Sequence, residues 1–252
     1  MLQGVPFNNV AADILSFEAG MKTIGLLGGI TWHSTLEYYR LINEGVQRRL
    51  GGSHSARCVL YSVDFAEVQR LQEEGGWDLL SGFFAGAARR VEAAGADLLL
   101  ICANTIHRAA EAVEAAISIP LVHIADATAA GILEKGLKTV GLLGTRYTME
   151  QDFLRNRLER HGLQILVPGE EERRIIHEVI YRELGLGIIL ESSRAAYQSI
   201  IWNLQATGAE GVILGCTEIP LLIRAEDSPI PVFDTTALHA AAAVDRALEQ
   251  RP

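Results

Sequence analysis

The segment Lys22-Thr-Ile-Gly-Leu-Leu-Gly28 returns later in the chain as Lys138-Thr-Val-Gly-Leu-Leu-Gly144. A second stretch, Gly95-Ala-Asp-Leu-Leu-Leu-Ile-Cys-Ala-Asn-Thr-Ile106, returns as Gly208-Ala-Glu-Gly-Val-Ile-Leu-Gly-Cys-Thr-Glu-Ile219, and Ile119-Pro120 and Ile230-Pro231 open similar segments further on. Glycines and turn positions recur in the same order, which a shared apolar composition alone does not require. A chain of 252 residues is long enough for one large α/β domain or two small ones, and the repeat favours two related units.

Short apolar runs at 22–28, 57–65, 97–102 and 120–124, and again at 138–144, 164–168, 211–215 and 231–234, are expected as strands. Amphipathic stretches at 34–50, 79–94, 108–117, 149–162 and 191–207 are expected as helices. This alternation predicts parallel sheets covered by helices. Several of the strands are unbroken Val/Ile/Leu runs, as befits strands buried on both faces. The expected fold is therefore two pseudo-symmetric α/β/α domains with parallel-rich sheets. Residues 21–119 plus 229–252 would form the first domain and 120–228 the second, with 1–20 as an N-terminal extension. Ligands of such sheets bind beyond the carboxyl ends of the strands, so the active site is expected in the cleft between the units.

Composition narrows the function. A formal net charge of −9 argues against non-specific nucleic-acid binding, which needs a basic surface. No apolar run is long enough to span a bilayer, so no membrane partner is expected. Three cysteines make a disulfide framework improbable and fit a reducing cytoplasm. Residues 1–20 lack the basic start and apolar core of a secretory signal. The seven histidines are scattered, there is no CxxC, HExxH, GxGxxG or phosphate loop, no metal-ligand spacing stands out, and nothing points to a particular lysine as a pyridoxal Schiff base, although spacing leaves one open.

Gly215-Cys-Thr-Glu218 is the most informative tetrad. It follows a buried strand, so Cys216 should sit at the strand's carboxyl end as a proton carrier or nucleophile. The repeat sets Ala103, not Cys102, opposite Cys216. Successive strand residues point to opposite faces, so Ala103 should face the cleft with Cys216 while Cys102 packs inside. Asn104 and Thr105 can donate hydrogen bonds to a carboxylate. His107 either touches the site or serves the start of a helix. The turn Gly28-Gly-Ile-Thr-Trp-His-Ser-Thr35 is a weak candidate for offering backbone N–H groups to an anion. Its second-half equivalent, Gly144-Thr-Arg-Tyr-Thr148, either faces the cleft or caps a helix.

Gly25-Leu-Leu-Gly-Gly29, Ala103-Asn-Thr105 and Gly215-Cys-Thr-Glu218 together resemble the aspartate/glutamate racemase family, across Met21 to about Leu248. Further runs, among them Tyr38-Tyr-Arg-Leu-Ile-Asn43, Tyr61-Ser-Val-Asp-Phe65 and Pro231-Val-Phe-Asp-Thr235, resemble its enterobacterial L-aspartate/glutamate-specific branch. The resemblance implies a two-domain homodimer that needs neither pyridoxal phosphate nor metal. One acid/base residue removes the α-proton of an amino acid, most often aspartate or glutamate, and a second returns a proton to the opposite face. In typical members both are cysteines; in the enterobacterial branch the first is threonine. By the same resemblance Asn104, Thr105 and Thr217 hold the α-carboxylate, with Ile30, Thr31, Gln72 and Glu218 near the substrate.

The chain departs from the family at two positions. Ala103 occupies the first acid/base position and has no titratable proton. Either the chain is an inactivated variant, or water, Thr105 or His107 supplies the second proton, or the protein runs one-cysteine chemistry. The last case resembles the arylmalonate decarboxylases, so a decarboxylase or isomerase is one alternative to racemisation, and a catalytically silent amino-acid-binding protein is another. Gly185 stands where many members carry a basic residue, leaving Arg57 or Arg182 to meet a distal carboxylate.

Overall fold

The structure, a computed structural model, describes residues 20–249. The expected extension at 1–20 lies outside it except for its last residue. Two parallel sheets form. In the first, β1 (Ile24–Gly28), β2 (Cys58–Ser62) and β3 (Leu98–Ile101) lie in the order β2-β1-β3. In the second, β4 (Thr139–Gly144), β5 (Gln164–Leu166), β6 (Gly211–Gly215) and β7 (Val232–Asp234) lie in the order β5-β4-β6-β7. The sequence repeat is a repeat of register. Leu27 pairs with Ile101 as Leu143 pairs with Leu214, each at the position the repeat makes equivalent. The lower edges are fastened alike: Asp97 accepts the Thr23 N–H at 2.7 Å, and Glu210 accepts the N–H groups of Lys138 and Thr139 at 2.8 Å.

The helices are α1 (Trp32–Leu50), α2 (Phe65–Glu73), α3 (Trp77–Ala93), α4 (Ala110–Glu114), α5 (Ile124–Glu134), α6 (Arg146–Glu150), α7 (Asp152–Arg160), α8 (Glu170–Arg182), α9 (Glu191–Ala206), α10 (Ile219–Leu222) and α11 (Thr235–Leu248). A 3₁₀ turn, Thr105–Ala109, leads into α4, and another, Leu184–Leu186, follows α8. Helix α1 buries Tyr38, Ile42 and Val46, one per turn, against the first sheet and α11. Helix α8 begins with three glutamates and ends with Arg182, charges that complement its dipole, and buries Ile176, Val179 and Ile180. The central strands β1, β3, β4 and β6 are buried, and each Leu or Ile they remove from water contributes roughly 1.5–3 kcal/mol.

Two expectations change. The run at 120–124 does not form a full strand: only Leu121 bridges to Leu99. The His123 ring then accepts the Ala125 N–H at 3.1 Å and caps α5, so the chain enters a helix two residues after the bridge. The expected domain boundaries at 119/120 and 228/229 also cut across hydrogen-bonded ladders. Leu121 belongs to the first sheet, and β7 pairs with β6 in the second. Only α11, beyond β7, returns to the first half, where Ala240, Ala243, Val244 and Ala247 pack on Tyr38 and Ile42. Helix α11 also packs on α5, where a Cβ on Gly131 would come within 2.6 Å of Leu238. Helices α5 and α11 follow the equivalent strand positions and lie together at the join of the two halves.

Candidate active site

The carboxyl ends of the central strands meet at a cavity of about 380 Å³. Nine residues expected at the site line it: Cys216, Thr217 and Glu218 after β6, Ala103, Asn104 and Thr105 after β3, Ile30 and Thr31 after β1, and Gln72 on α2. The alternation argument holds. Ala103 and Cys216 face the cavity, whereas Cys102 is fully buried among Tyr38, Ile42 and Leu100 on the other face. Burial pushes the Cys102 thiol far up, so it stays protonated and inert.

A hydrogen-bonded chain leads to Cys216. The Ser34 hydroxyl donates to Thr217 Oγ1 at 2.7 Å, Thr217 donates to Glu218 Oε2 at 2.8 Å, and the Cys216 thiol donates to the same Oε2 at 2.9 Å. The Cys216 pKa is raised well above the ordinary thiol value, first by burial and then by the Glu218 carboxylate. The thiol therefore rests protonated, with a carboxylate in place to take its proton.

On the Ala103 side the neighbouring polar side chains are Asn104 and Thr105, and the His33 ring lies exposed on the first turn of α1. Thr105 Oγ1 lies 3.4 Å from Thr145 Oγ1 and 3.5 Å from Thr148 Oγ1. Thr145 both lines the cavity and caps α6 by accepting the Thr148 N–H, so both readings of its turn hold. Asn104 reaches across to the second half. Thr235 gives its hydroxyl proton to the Leu214 carbonyl at 3.0 Å, so it can only accept from Asn104 Nδ2, also at 3.0 Å. That fixes the amide orientation and leaves Asn104 Oδ1 buried without a partner.

His107 does not line the cavity. It is 2% exposed: its Nδ1–H donates to the Ala103 carbonyl at 2.8 Å, and its Nε2 accepts the Ile124 N–H at 3.2 Å. Both ring nitrogens are occupied, and burial keeps the ring neutral. The structural role prevails. In the glycine turn before α1, three N–H groups are bonded within the turn: Gly29 donates to Thr35 Oγ1, Ser34 to Thr31 Oγ1 and Thr35 to the Thr31 carbonyl. The turn needs glycine at position 29, where φ is +90° and a Cβ would meet the Val63 carbonyl at 2.2 Å. Neither Arg57 nor Arg182 lines the cavity.

Residues 27–243 match the family described as Asp/Glu/Hydantoin racemase. The chain belongs to that family. A Yersinia pestis protein assigned as an Asp/Glu racemase is 51% identical to this racemase-family chain, with a TM-score of 0.87 over 91% of this chain and 100% of the other. An aspartate racemase homologue from Pyrococcus horikoshii is 37% identical, with a TM-score of 0.82 over 91% and 100%. The broad specificity amino-acid racemase RacX of Bacillus subtilis is 22% identical over 88% of this chain and 96% of its own length. Amino-acid racemases are isomerases, so family membership makes this chain an enzyme acting on small-molecule amino acids. No helix among the described residues is long and apolar enough to cross a membrane.

Trp32, Phe65, Gln69, Tyr181 and Leu186 also line the cavity and were not singled out in the sequence. The spacing of Gln69 and Gln72 was the one available signal, since it puts both on one face of α2.

Proposed function

We propose that this chain labilises the α-proton of an amino acid, with Cys216 as the single proton-carrying group and Glu218 as the base that relieves the thiol of its proton. The observation that carries this reading is the 2.9 Å Cys216–Glu218 hydrogen bond inside the cavity. For abstraction, the thiol proton moves to Glu218 and the thiolate takes the α-proton; for delivery, the same path runs backwards. Thr105 and the free hydrogen of Asn104 Nδ2 provide donors for the α-carboxylate as charge builds on it, while the Thr217 hydroxyl is committed to Glu218, and such preorganised donors lower the cost of a carbanion formed without a cofactor. The unmatched Asn104 Oδ1 suits a donor from the ligand, and the α-ammonium group supplies one.

With Ala103 opposite, protonation from the second face falls to water held by the Thr105–Thr145 hydroxyls. Exchange from the Cys216 face is therefore expected to outrun racemisation. A second reading draws on the same residue: one thiol and an inert opposite wall suit a decarboxylase that protonates a carbanion from one side. Proton NMR in heavy water with a panel of amino acids, with chiral chromatography on the same samples, separates the two. The proposal predicts α-deuterium incorporation that falls at least about a hundredfold in Cys216→Ala, a typical contribution of one positioned acid/base. Undiminished exchange in that variant overturns the role of Cys216. Binding without exchange identifies a silent binding protein, and carbon dioxide release from an arylmalonate favours the second reading.

A homodimer belongs to the same reading. Its support is a stripe of exposed Trp32, Leu36 and Tyr39 along α1, and sedimentation equilibrium measures it.

A further inference from the structure

We propose that the cavity selects amino acids with an uncharged, largely apolar side chain over the dicarboxylates. The inference rests on the α-carbon reading above, because Cys216 and Asn104 define which part of the cavity holds the α-carbon. The rest of the wall is formed by Phe65, Gln69, Gln72, Ile180, Tyr181 and Leu186. Four of the six present apolar or aromatic surface, and two present carboxamides.

Charge decides the matter. No lysine or arginine lines the cavity among the described residues, and residues 1–19 contain none. Four titratable groups line the wall. Glu218 supplies a carboxylate, and it already accepts protons from two neighbours on one oxygen. Cys216 is held protonated, and Tyr181 is pushed up by burial and by Cys216, so neither carries positive charge. His33 is an exposed ring on the first turn of α1, stacked on Trp32 with 3.7 Å between ring centroids. A distal carboxylate would lose water and gain a like-charged neighbour, with no fixed cation to offset either.

Gln72 says what the wall does accept. It is 6% exposed, lines the cavity, and makes no side-chain hydrogen bond among the described residues, so its amide opens onto the cavity and is free to meet a ligand. It offers both a donor and an acceptor, which a carboxamide matches, while the surrounding Phe65, Ile180 and Leu186 suit methylene groups. The volume, equal to about a dozen waters at roughly 30 Å³ each, takes a side chain of glutamine or methionine size.

The isosteric pairs glutamine/glutamate and asparagine/aspartate isolate the charge. Binding of each, and of methionine, would be measured by titration calorimetry on the intact protein between pH 6 and 8, with α-deuterium exchange on the same samples. Glutamine and methionine are expected to bind at least about tenfold tighter than glutamate, and Leu186→Lys, which adds a cation to the wall, should narrow or invert the ratio. Glutamate binding as tightly as glutamine overturns the selectivity, whether or not exchange occurs. Glutamate binding that strengthens toward pH 6 until it matches glutamine overturns it too. Neutral-side-chain binding without exchange upholds the selectivity and defeats the α-carbon chemistry. Failure of all five amino acids to bind defeats both.

Discussion

After β6 the chain leaves its sheet through Gly215 and presents Cys216, its thiol hydrogen-bonded to Glu218, to the cavity; after β3, at the equivalent register, it presents Ala103, a methyl group whose backbone carbonyl is held by the buried His107 ring. The fourth strand position differs as well. In the second half it is a strand of three residues ending in Asp234, whose carboxylate caps α11 by accepting the N–H groups of Thr236 and Ala237. In the first half it is one bridge at Leu121, and the cap of α5 is the ring of His123. The scaffold positions, by contrast, stay matched, from the Leu27/Leu143 pairings to the Asp97/Glu210 fastenings. Duplication has kept what holds the sheets together and let the active faces drift apart.

Restoring an acid/base group to the silent half should have the largest effect. Ala103→Cys is expected to raise racemisation relative to exchange by about a hundredfold or more, the range for one positioned proton donor, read by chiral chromatography against NMR exchange. No change would mean that the first half does not face the substrate's second side. Next comes the core. Leu27→Ala and Leu143→Ala, both at fully buried positions, should each cost about 2–5 kcal/mol in urea unfolding. Costs that differ by more than about 2 kcal/mol would show that the two sheets are not energetically equivalent.

The third test concerns the join between halves. His107, His123 and His239 cluster there, with ring centroids 4.6 Å (His107–His123) and 5.6 Å (His107–His239) apart. His239 accepts the Tyr38 hydroxyl proton and donates to the Val122 carbonyl. Burial lowers all three, His239 to about 4 and His123 to about 2. Below the unfolded value near 6.5, the unfolded chain binds protons that the folded chain refuses. Stability is therefore full above about pH 6.5 and falls as pH drops, by about 1.4 kcal/mol per pH unit for each ring. His123→Asn, which keeps a capping side chain, should remove one ring's share of that slope between pH 6 and 4. An unchanged slope would show that His123 is protonated in the folded state.

The smallest effects are expected at the caps. Asp234→Ala, which loses two acceptor contacts, should cost about 1 kcal/mol or somewhat more, and His123→Ala, which loses one, should cost less in thermal unfolding at pH 8. The reverse order would make the bridged first half the more dependent on its cap.

The strand plan, the positions of Cys216 and Ala103, and the inward turn of Cys102 were all legible in the sequence. They depend only on a repeat in register and on the two-residue period of a strand. Asn104, Thr105, Thr217 and Glu218 came with them by adjacency. The segment at 120–124 misled because Leu121 and Val122 look like a strand, while the deciding element is the His123 cap. Ser34, Tyr181 and Leu186 were not legible. Each sits on an element whose approach to the cavity depends on tertiary packing, and neither the turn that contains Ser34 nor the segment around Gly185 says which of its side chains turns inward. The same holds for the mutual arrangement of the three histidines, which are far apart in the chain.

The Ser34–Thr217 contact joins the first turn of α1 to the loop carrying the thiol and its carboxylate. Ser34 belongs to one half and Thr217 to the other. A displacement of the halves that lengthens this 2.7 Å bond takes away the proton Ser34 gives to Thr217 Oγ1, while Thr217 keeps its own bond to Glu218 Oε2. Access to the Cys216 sulfur is thus tied to how far the cleft has opened, and the rate at which a small alkylating reagent captures that sulfur is a gauge of domain position as much as of chemistry.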